Sequence, residues 1–156
     1  MRIEVCHIGK TKEKWLSSGE EFYLKKCKRY YPVKTKVINV TRETAPERAK
    51  TKEAEKIISY LQTAPKHYNI LLDERGKMHD SIAFARHLEK LAMHQGGAIR
   101  FITGGPFGVT DQVRASVHEM VSFSPMVFTH EMVRVLLLEQ LYRAMTILRG
   151  ESHHHI

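Results

Sequence analysis

Arg100-Phe101-Ile102-Thr103-Gly104-Gly105-Pro106-Phe107-Gly108-Val109-Thr110-Asp111 joins an apolar run to a glycine turn and a helix start. The run from Ala98 to Ile102 reads as a strand, and Thr110-Asp111 reads as an N-cap opening a short helix. Strand, glycine turn and helix in that order predict a βα unit, whose turn at the carboxyl end of a parallel strand faces a ligand crevice. Glycines there let a backbone approach a bound molecule and permit positive φ. The spacing is not Gly-x-Gly-x-x-Gly and no Gly-Lys-Ser/Thr follows, so neither the dinucleotide nor the P-loop fingerprint is present. A tight turn without a ligand would use the same residues, so the flanking segments decide.

Working outward, Met1 to Gly9 reads as a first strand. Lys12 to Tyr30 is helical in pattern, with Trp15, Gly19, Phe22, Tyr23, Lys26 and Tyr30 on one side, and Pro32 stops it. Val33 to Val40 is a second strand. Thr44-Ala45-Pro46-Glu47 has capping-box spacing, and the helix it opens carries Ala54, Ile57, Ile58 and Leu61 before Pro65 ends it. Tyr68 to Asp73 is a third strand with Glu74 to Lys77 as its turn, and Asp80-Ser81 caps a helix closed by Gly96-Gly97. Beyond the glycine turn, a helix from Asp111 to about Met120 precedes a fifth strand, Val121 to Phe128, bent at Pro125. A last helix runs from Glu131 to about Leu148.

This alternation predicts an α/β fold with a mainly parallel sheet and helices on both faces. Val133, Val135, Leu136, Leu137, Leu138, Leu141, Tyr142, Met145, Ile147 and Leu148 cover more than one stripe of the last helix. Either the chain wraps that helix deeply or a second subunit covers it, and a homodimer is expected.

At 156 residues with 42% apolar and 27% charged side chains, residues 1–156 form one domain large enough to fold without disulfides. Cys6 and Cys27 have no Cys-x-x-Cys spacing and fit a reducing, cytoplasmic setting. No apolar signal core or membrane-length run is present. The net charge of +8 is unevenly spread: residues 1–60 hold 15 Lys and Arg against 8 Asp and Glu, and the remainder is close to balanced. Lys25-Lys26-Cys27-Lys28-Arg29 and Arg48-Ala49-Lys50-Thr51-Lys52 would make a phosphate-attracting face, with Tyr30 and Tyr31 available to stack on bases.

Leu72-Asp73, Thr103 to Pro106 and Phe123 to Phe128 are expected to converge at the carboxyl ends of neighbouring strands. A pocket of backbone amides, glycine and apolar side chains suits a flat ring with a hydrogen-bonding edge, such as adenine. No His/Cys/Asp/Glu cluster with ligand spacing and no nucleophile elbow lines these segments, so a metal is not expected. Asp73 is also read as a turn residue facing a helix, and Phe123 and Met126 as core.

Leu71-Leu72-Asp73-Glu74-Arg75-Gly76-Lys77, Phe101 to Gly108 and Ser124 to Ala144 resemble the RlmH family of SPOUT methyltransferases. The combination of Gly-Gly-Pro-x-Gly, His130-x-x-Val133-Arg134 and Glu139-Gln140-x-Tyr142-Arg143-Ala144 carries the resemblance. It implies a homodimeric enzyme with a C-terminal trefoil knot that uses S-adenosyl-L-methionine to methylate N3 of a pseudouridine. The implied partner is 23S rRNA in the large ribosomal subunit or 70S ribosome. By the same resemblance Leu72, Gly104, Phe123, Ser124, Pro125, Met126, Val127 and Phe128 would hold the cofactor, and His130, Arg134 and His153 would contact the substrate. His154 and Arg143 would be catalytic. The family's usual Pro-Tyr-His-basic ending is replaced here by Ser152-His153-His154-His155, which keeps the histidine and loses the tyrosine. A SPOUT methyltransferase of another RNA such as tRNA, and an RNA- or ribosome-binding module without catalysis, are the competing readings.

Overall fold

A computed structural model describes residues 1–94 and 96–151. In chain order the elements are β1 (Arg2–Ile8), α1 (Lys14–Cys27), β2 (Val33–Ile38), α2 (Pro46–Thr63), β3 (Tyr68–Met78), α3 (Ser81–His94), β4 (Ala98–Thr103), α4 (Asp111–Ala115), β5 (Glu119–Ser122) and α5 (Met132–Leu148). The strands form one parallel sheet in the order β2-β1-β4-β3-β5. Covered on both faces, β4 is buried along its whole length. Helices α1, α3 and α5 pack their apolar sides on one face, over Ile3, Val5, Ile70, Ile99 and Phe101. The opposite face, with Cys6, Ile8, Leu71 and Ile102, is covered by α2 and α4. The α/β fold with helices on both faces is as the alternation predicts.

The N-caps of α3 and α4 are also as predicted. Asp80 Oδ1 accepts from the Ala83 N–H at 2.7 Å and Thr110 Oγ1 accepts from the Val113 N–H at 3.3 Å. The capping box at Thr44 does not form. Ala45 occupies the N-cap with Pro46 next to it, and Glu43 Oε1 accepts from the N–H groups of Thr44 and Ala45 instead.

Three element boundaries differ. Glu74 to Lys77 is not a terminal turn. The strand β3 continues to Met78, and Leu72 and Lys77 both pair with Val121, so residues 73–76 form a bulge between them. The predicted fifth strand stops at Ser122, where side chains replace the ladder: Ser122 Oγ donates to the Ser124 carbonyl at 2.8 Å and the Met126 N–H donates to Ser124 Oγ at 3.0 Å. Pro125, lacking an N–H, could not have continued the pairing. The helix after Asp111 ends at Ala115, well short of Met120.

Helix α1 is rotated from its predicted orientation. Trp15 and Phe22 are 64% and 54% exposed, and Leu16 and Cys27 are the buried residues. Tyr30 is not free to stack on bases: its ring packs edge-on against Tyr142 and its hydroxyl donates to Glu151 Oε2 at 2.8 Å. Helix α5 is wrapped deeply by this chain, packed against both α1 and α3, with Arg134, Leu137, Leu138, Leu141, Ala144 and Met145 buried. Its first turn is tied to α1 by Glu131, whose carboxylate accepts from the N–H groups of Lys12 and Glu13.

Candidate active site

The carboxyl ends of β4, β3 and β5 open into a cleft of about 530 Å³. Leu72 and the Asp73 bulge form one wall, the Gly104 to Val109 turn a second, and Phe123, Ser124 and Met126 to His130 a third. The convergence of three segments expected from their order is therefore present. Pro125 lies within the third segment, exposed, but does not itself line the cleft.

Neighbouring side chains crowd two of the glycines: a Cβ on Gly104 would lie 2.8 Å from Val109 Cγ1, and one on Gly105 would meet the Glu53 carboxylate. Gly108 has φ +79° and donates its N–H to the Gly105 carbonyl at 3.1 Å, closing the turn. Phe123 is half-buried against the core, its ring edge-on to Phe84, so it anchors the third segment as well as lining the cleft. The next residues have no such support: Met126 and Val127 are 75% and 79% exposed. Two large apolar side chains thus flank the opening with their backbone beside it.

Electrostatics along the wall are set by Asp73, Lys50 and Arg114, of which only Arg114 is not singled out by the residue pattern. Asp73 is buried and pairs with Arg114 Nε at 2.8 Å, while its other oxygen accepts from the Arg75 N–H, so it faces helix α4 as expected but from a strand bulge rather than a turn. Arg114 and Arg75 both reach Asp111. Lys50 lines the cleft from α2, and its signal was present in the basic run 48–52. Arg114 had no signal beyond its place one turn after the Thr110 cap.

Of the predicted substrate residues, His130 lines the cleft. Burial, with the charge of Arg134 nearby, holds its imidazole below the ordinary histidine value and so neutral near pH 7. Arg134 is placed differently from its expected position beside a substrate. It is wholly buried, and its guanidinium donates to the carbonyls of Ile8 at 2.5 Å and Gly9 at 3.1 Å and to Thr11 Oγ1 at 2.9 Å. A charge on the first turn of α5 is drawn inward because the end of β1 leaves carbonyls to satisfy. Arg143 is ten residues beyond Val133, the last cleft residue of α5, or about 15 Å along the helix, and its Nη2 lies 2.6 Å from Glu139 Oε1. The cleft and Arg143 are thus not brought together within one chain. His153 and His154 lie outside the described residues. Among the described residues no group of three His, Cys, Asp or Glu side chains is placed to hold a metal ion, and no helix is long and apolar enough to cross a membrane.

Comparison with known proteins gives this geometry its context. The chain is 34% identical over 155 residues to a protein of Trichlorobacter lovleyi named ribosomal RNA large subunit methyltransferase H, with 99% of this chain and all of that protein covered. It is 37% identical over 158 residues to a Bacteroides fragilis protein of the same name, with 99% of each covered. Its fold is similar, at TM-score 0.51 and 12% identity, to a Legionella pneumophila protein solved with bound SAM, covering 92% of this chain and 66% of that one. Residues 1–154 match the family model described as "Predicted SPOUT methyltransferase", and with its cleft built from a glycine turn and the segment after the last strand, the chain belongs to the SPOUT methyltransferase family.

Proposed function

We propose that this protein is an S-adenosyl-L-methionine-dependent methyltransferase of large-subunit ribosomal RNA, acting on N3 of a pseudouridine within the assembled subunit or ribosome. The observation that carries the reading is the meeting of the Gly104 to Gly108 turn, Leu72 and the Phe123 to Phe128 segment in one cleft. That cleft fits the cofactor on its own geometry. Its volume accepts a nucleoside, Gly104 leaves its wall without a side chain, and Met126, Val127 and Phe128 are exposed beside the opening, with the N–H groups of Val127 and Phe128 the candidates for an adenine edge. Relatives covered over their full length and named for large-subunit ribosomal RNA support the substrate class.

The cofactor supplies a methyl group on a sulfonium, electrophilic without a metal. What the chain contributes is positioning. Leu72, Gly104 and residues 123–128 hold the adenosine portion, and the base enters past His130. Neutral at the working pH, His130 orients the incoming base without adding charge. Arg134 acts by fixing the start of α5 to the end of β1. Loss of the N3 proton is assigned to His154, substrate contact to His153, and countering charge on the ring or phosphate to Arg143.

Because Arg143 is remote from the cleft of its own chain, it serves the cleft of a second copy. The exposed Trp15 and Phe22 on α1 provide apolar surface for such a homodimer. The same reading takes residues 1–156 as one SPOUT domain with the family's trefoil knot, working in the cytoplasm. The reading takes assembled subunits as favoured over naked RNA.

Mass spectrometry of nucleosides after incubation with methyl-labelled cofactor tests this. Large subunits or 70S ribosomes should acquire label on one pseudouridine, with naked 23S rRNA poorly labelled. Label on tRNA instead would shift the target, and absence of cofactor binding by calorimetry with salt-sensitive RNA binding retained would leave a binding module.

A further inference from the structure

A second cleft of about 530 Å³ opens at the opposite edge of the sheet, where β3 and β4 begin. Lys66, His67, Tyr68, Asn69, Arg100 and His118 line it. Arg100 is 1% exposed in the middle of the sheet, a position that is costly for a charge unless it is matched. One carboxylate matches it: Glu4 Oε1 lies 2.5 Å from Arg100 Nε and also accepts from the Tyr60 hydroxyl at 2.9 Å. Nη1 donates to Asn69 Oδ1, and Nη2 to the Pro65 carbonyl and to His67 Nδ1, each at 3.1 Å, which leaves one N–H on Nη1 without a bonding partner among the described residues.

Apart from the apolar Leu61, the lining adds cationic and donating groups. Lys66 is exposed and has no carboxylate partner among the described residues, and Lys36, over the Tyr60 ring at 5.4 Å, has none either. His118 Nδ1 accepts from the Asn69 N–H at 2.9 Å, so Nε2 carries the ring's hydrogen as a donor. That ring stacks on Tyr68 with centroids 4.7 Å apart, which fixes its orientation. No carboxylate lines the cleft, and the neighbouring Glu119 is engaged by His87 at 2.6 Å and by the Tyr68 hydroxyl. Spare N–H donors around a net positive charge suit a phosphodiester.

We infer that this cleft holds a backbone phosphate of the RNA whose base enters the cofactor cleft. The inference rests on the reading of the protein as an RNA methyltransferase. Arg100 and Gly104 are four residues apart along the chain, about 13 Å, so one RNA strand passing over the protein can set a phosphate in this cleft and, several nucleotides on, a base in the other. The contact positions the RNA and carries no sequence information.

The test compares the unaltered protein with Lys66→Glu and His118→Asn in steady-state methylation of large subunits at several salt concentrations. Lys66→Glu is on the surface, and the asparagine can still accept from the Asn69 N–H, so both should melt like the unaltered protein. The expected result is a KM for the subunits raised about five- to tenfold in each, within the range of a lost phosphate contact. Unchanged kcat and unchanged cofactor affinity by calorimetry should accompany it, with a salt slope of log KM shallower by about one in Lys66→Glu. Unchanged KM and slope in both variants, while the unaltered protein methylates normally, overturn the inference alone. Protection of the His118 ring by inorganic phosphate in NMR titration, with KM unchanged in the variants, identifies a free-anion site and overturns it too. No methylation by the unaltered protein overturns the underlying reading and this inference with it.

Discussion

Gly76 lies directly against the backbone of Val121, where a Cβ would sit 2.5 Å from the Val121 carbonyl carbon and 2.6 Å from its nitrogen. That approach lets β3 continue past its bulge and pair again, with Lys77 opposite the same Val121. The cleft depends on it, because Val121 and Ser122 lead straight into the segment that forms its third wall. Gly76→Ala must push two strands apart. A loss of about 3 kcal/mol is expected, the upper end of overpacking penalties, read as a lower denaturation midpoint together with weaker cofactor binding. An unchanged midpoint would show that the strands separate freely here.

His7 predicts the direction of pH dependence. Its ring is buried near the end of β1 with Nδ1 unpartnered, and burial, aided by the Arg134 charge, pushes its pKa down to about 4. Unfolded, the imidazole titrates near its ordinary value of about 6.5. Below that value the unfolded chain takes up a proton that the folded chain refuses, so stability falls as pH drops from about 6.5 towards 4. The loss from this group is about 3 kcal/mol at the acid end. His130, shifted in the same direction, adds to it. In urea titrations at pH 7 and pH 5, His7→Val should lose distinctly less stability on acidification than the unaltered protein. Equal losses would place the pH dependence elsewhere.

The sequence carried the arrangement of the site further than its details. Once Ala98 to Ile102, Tyr68 to Asp73 and the run after Met120 are read as parallel strands, their carboxyl ends must lie on one edge, which brings Gly104, Leu72 and Phe123 together. The bulge at Asp73 was not legible. Glu74-Arg75-Gly76-Lys77 has ordinary turn chemistry, and only the tertiary contact with Val121 keeps it extended. Val127-Phe128 looked like strand because β-propensity does not distinguish an apolar residue in a sheet from one beside a cleft. Arg134 misled for a related reason: a charged residue next to a site suggests a ligand, but the free carbonyls of Ile8 and Gly9 lie far away in sequence and could not be seen from the motif.

Arg134 should therefore behave as a positioning residue. Arg134→Met leaves two carbonyls at the end of β1 without their donor, and about 3 kcal/mol of stability should be lost. Arg134→Lys should recover less than half of that, since one ammonium cannot reproduce a fork spread over Ile8, Gly9 and Thr11. Chemical denaturation measures both. A Met variant as stable as the unaltered protein but defective only in RNA affinity would return Arg134 to direct substrate contact.

Arg143 sets a test of subunit sharing. Within one chain it is about 15 Å along α5 from the cleft and held by Glu139, so the proposed role requires the partner copy. Gly104→Val should abolish methylation by distorting the turn that walls the cofactor cleft, since even a Cβ there meets Val109 at 2.8 Å. Arg143→Ala should abolish it by removing the guanidinium. Random mixing of the two inactive proteins produces dimers in which one cleft is intact and faces an intact Arg143, so about a quarter of the unaltered activity should return. If Arg143 instead served its own chain, every mixed dimer would carry one defect at each site and none would recover. Native mass spectrometry confirming mixed dimers, alongside a methylation assay that stays at background, would rule out the shared site.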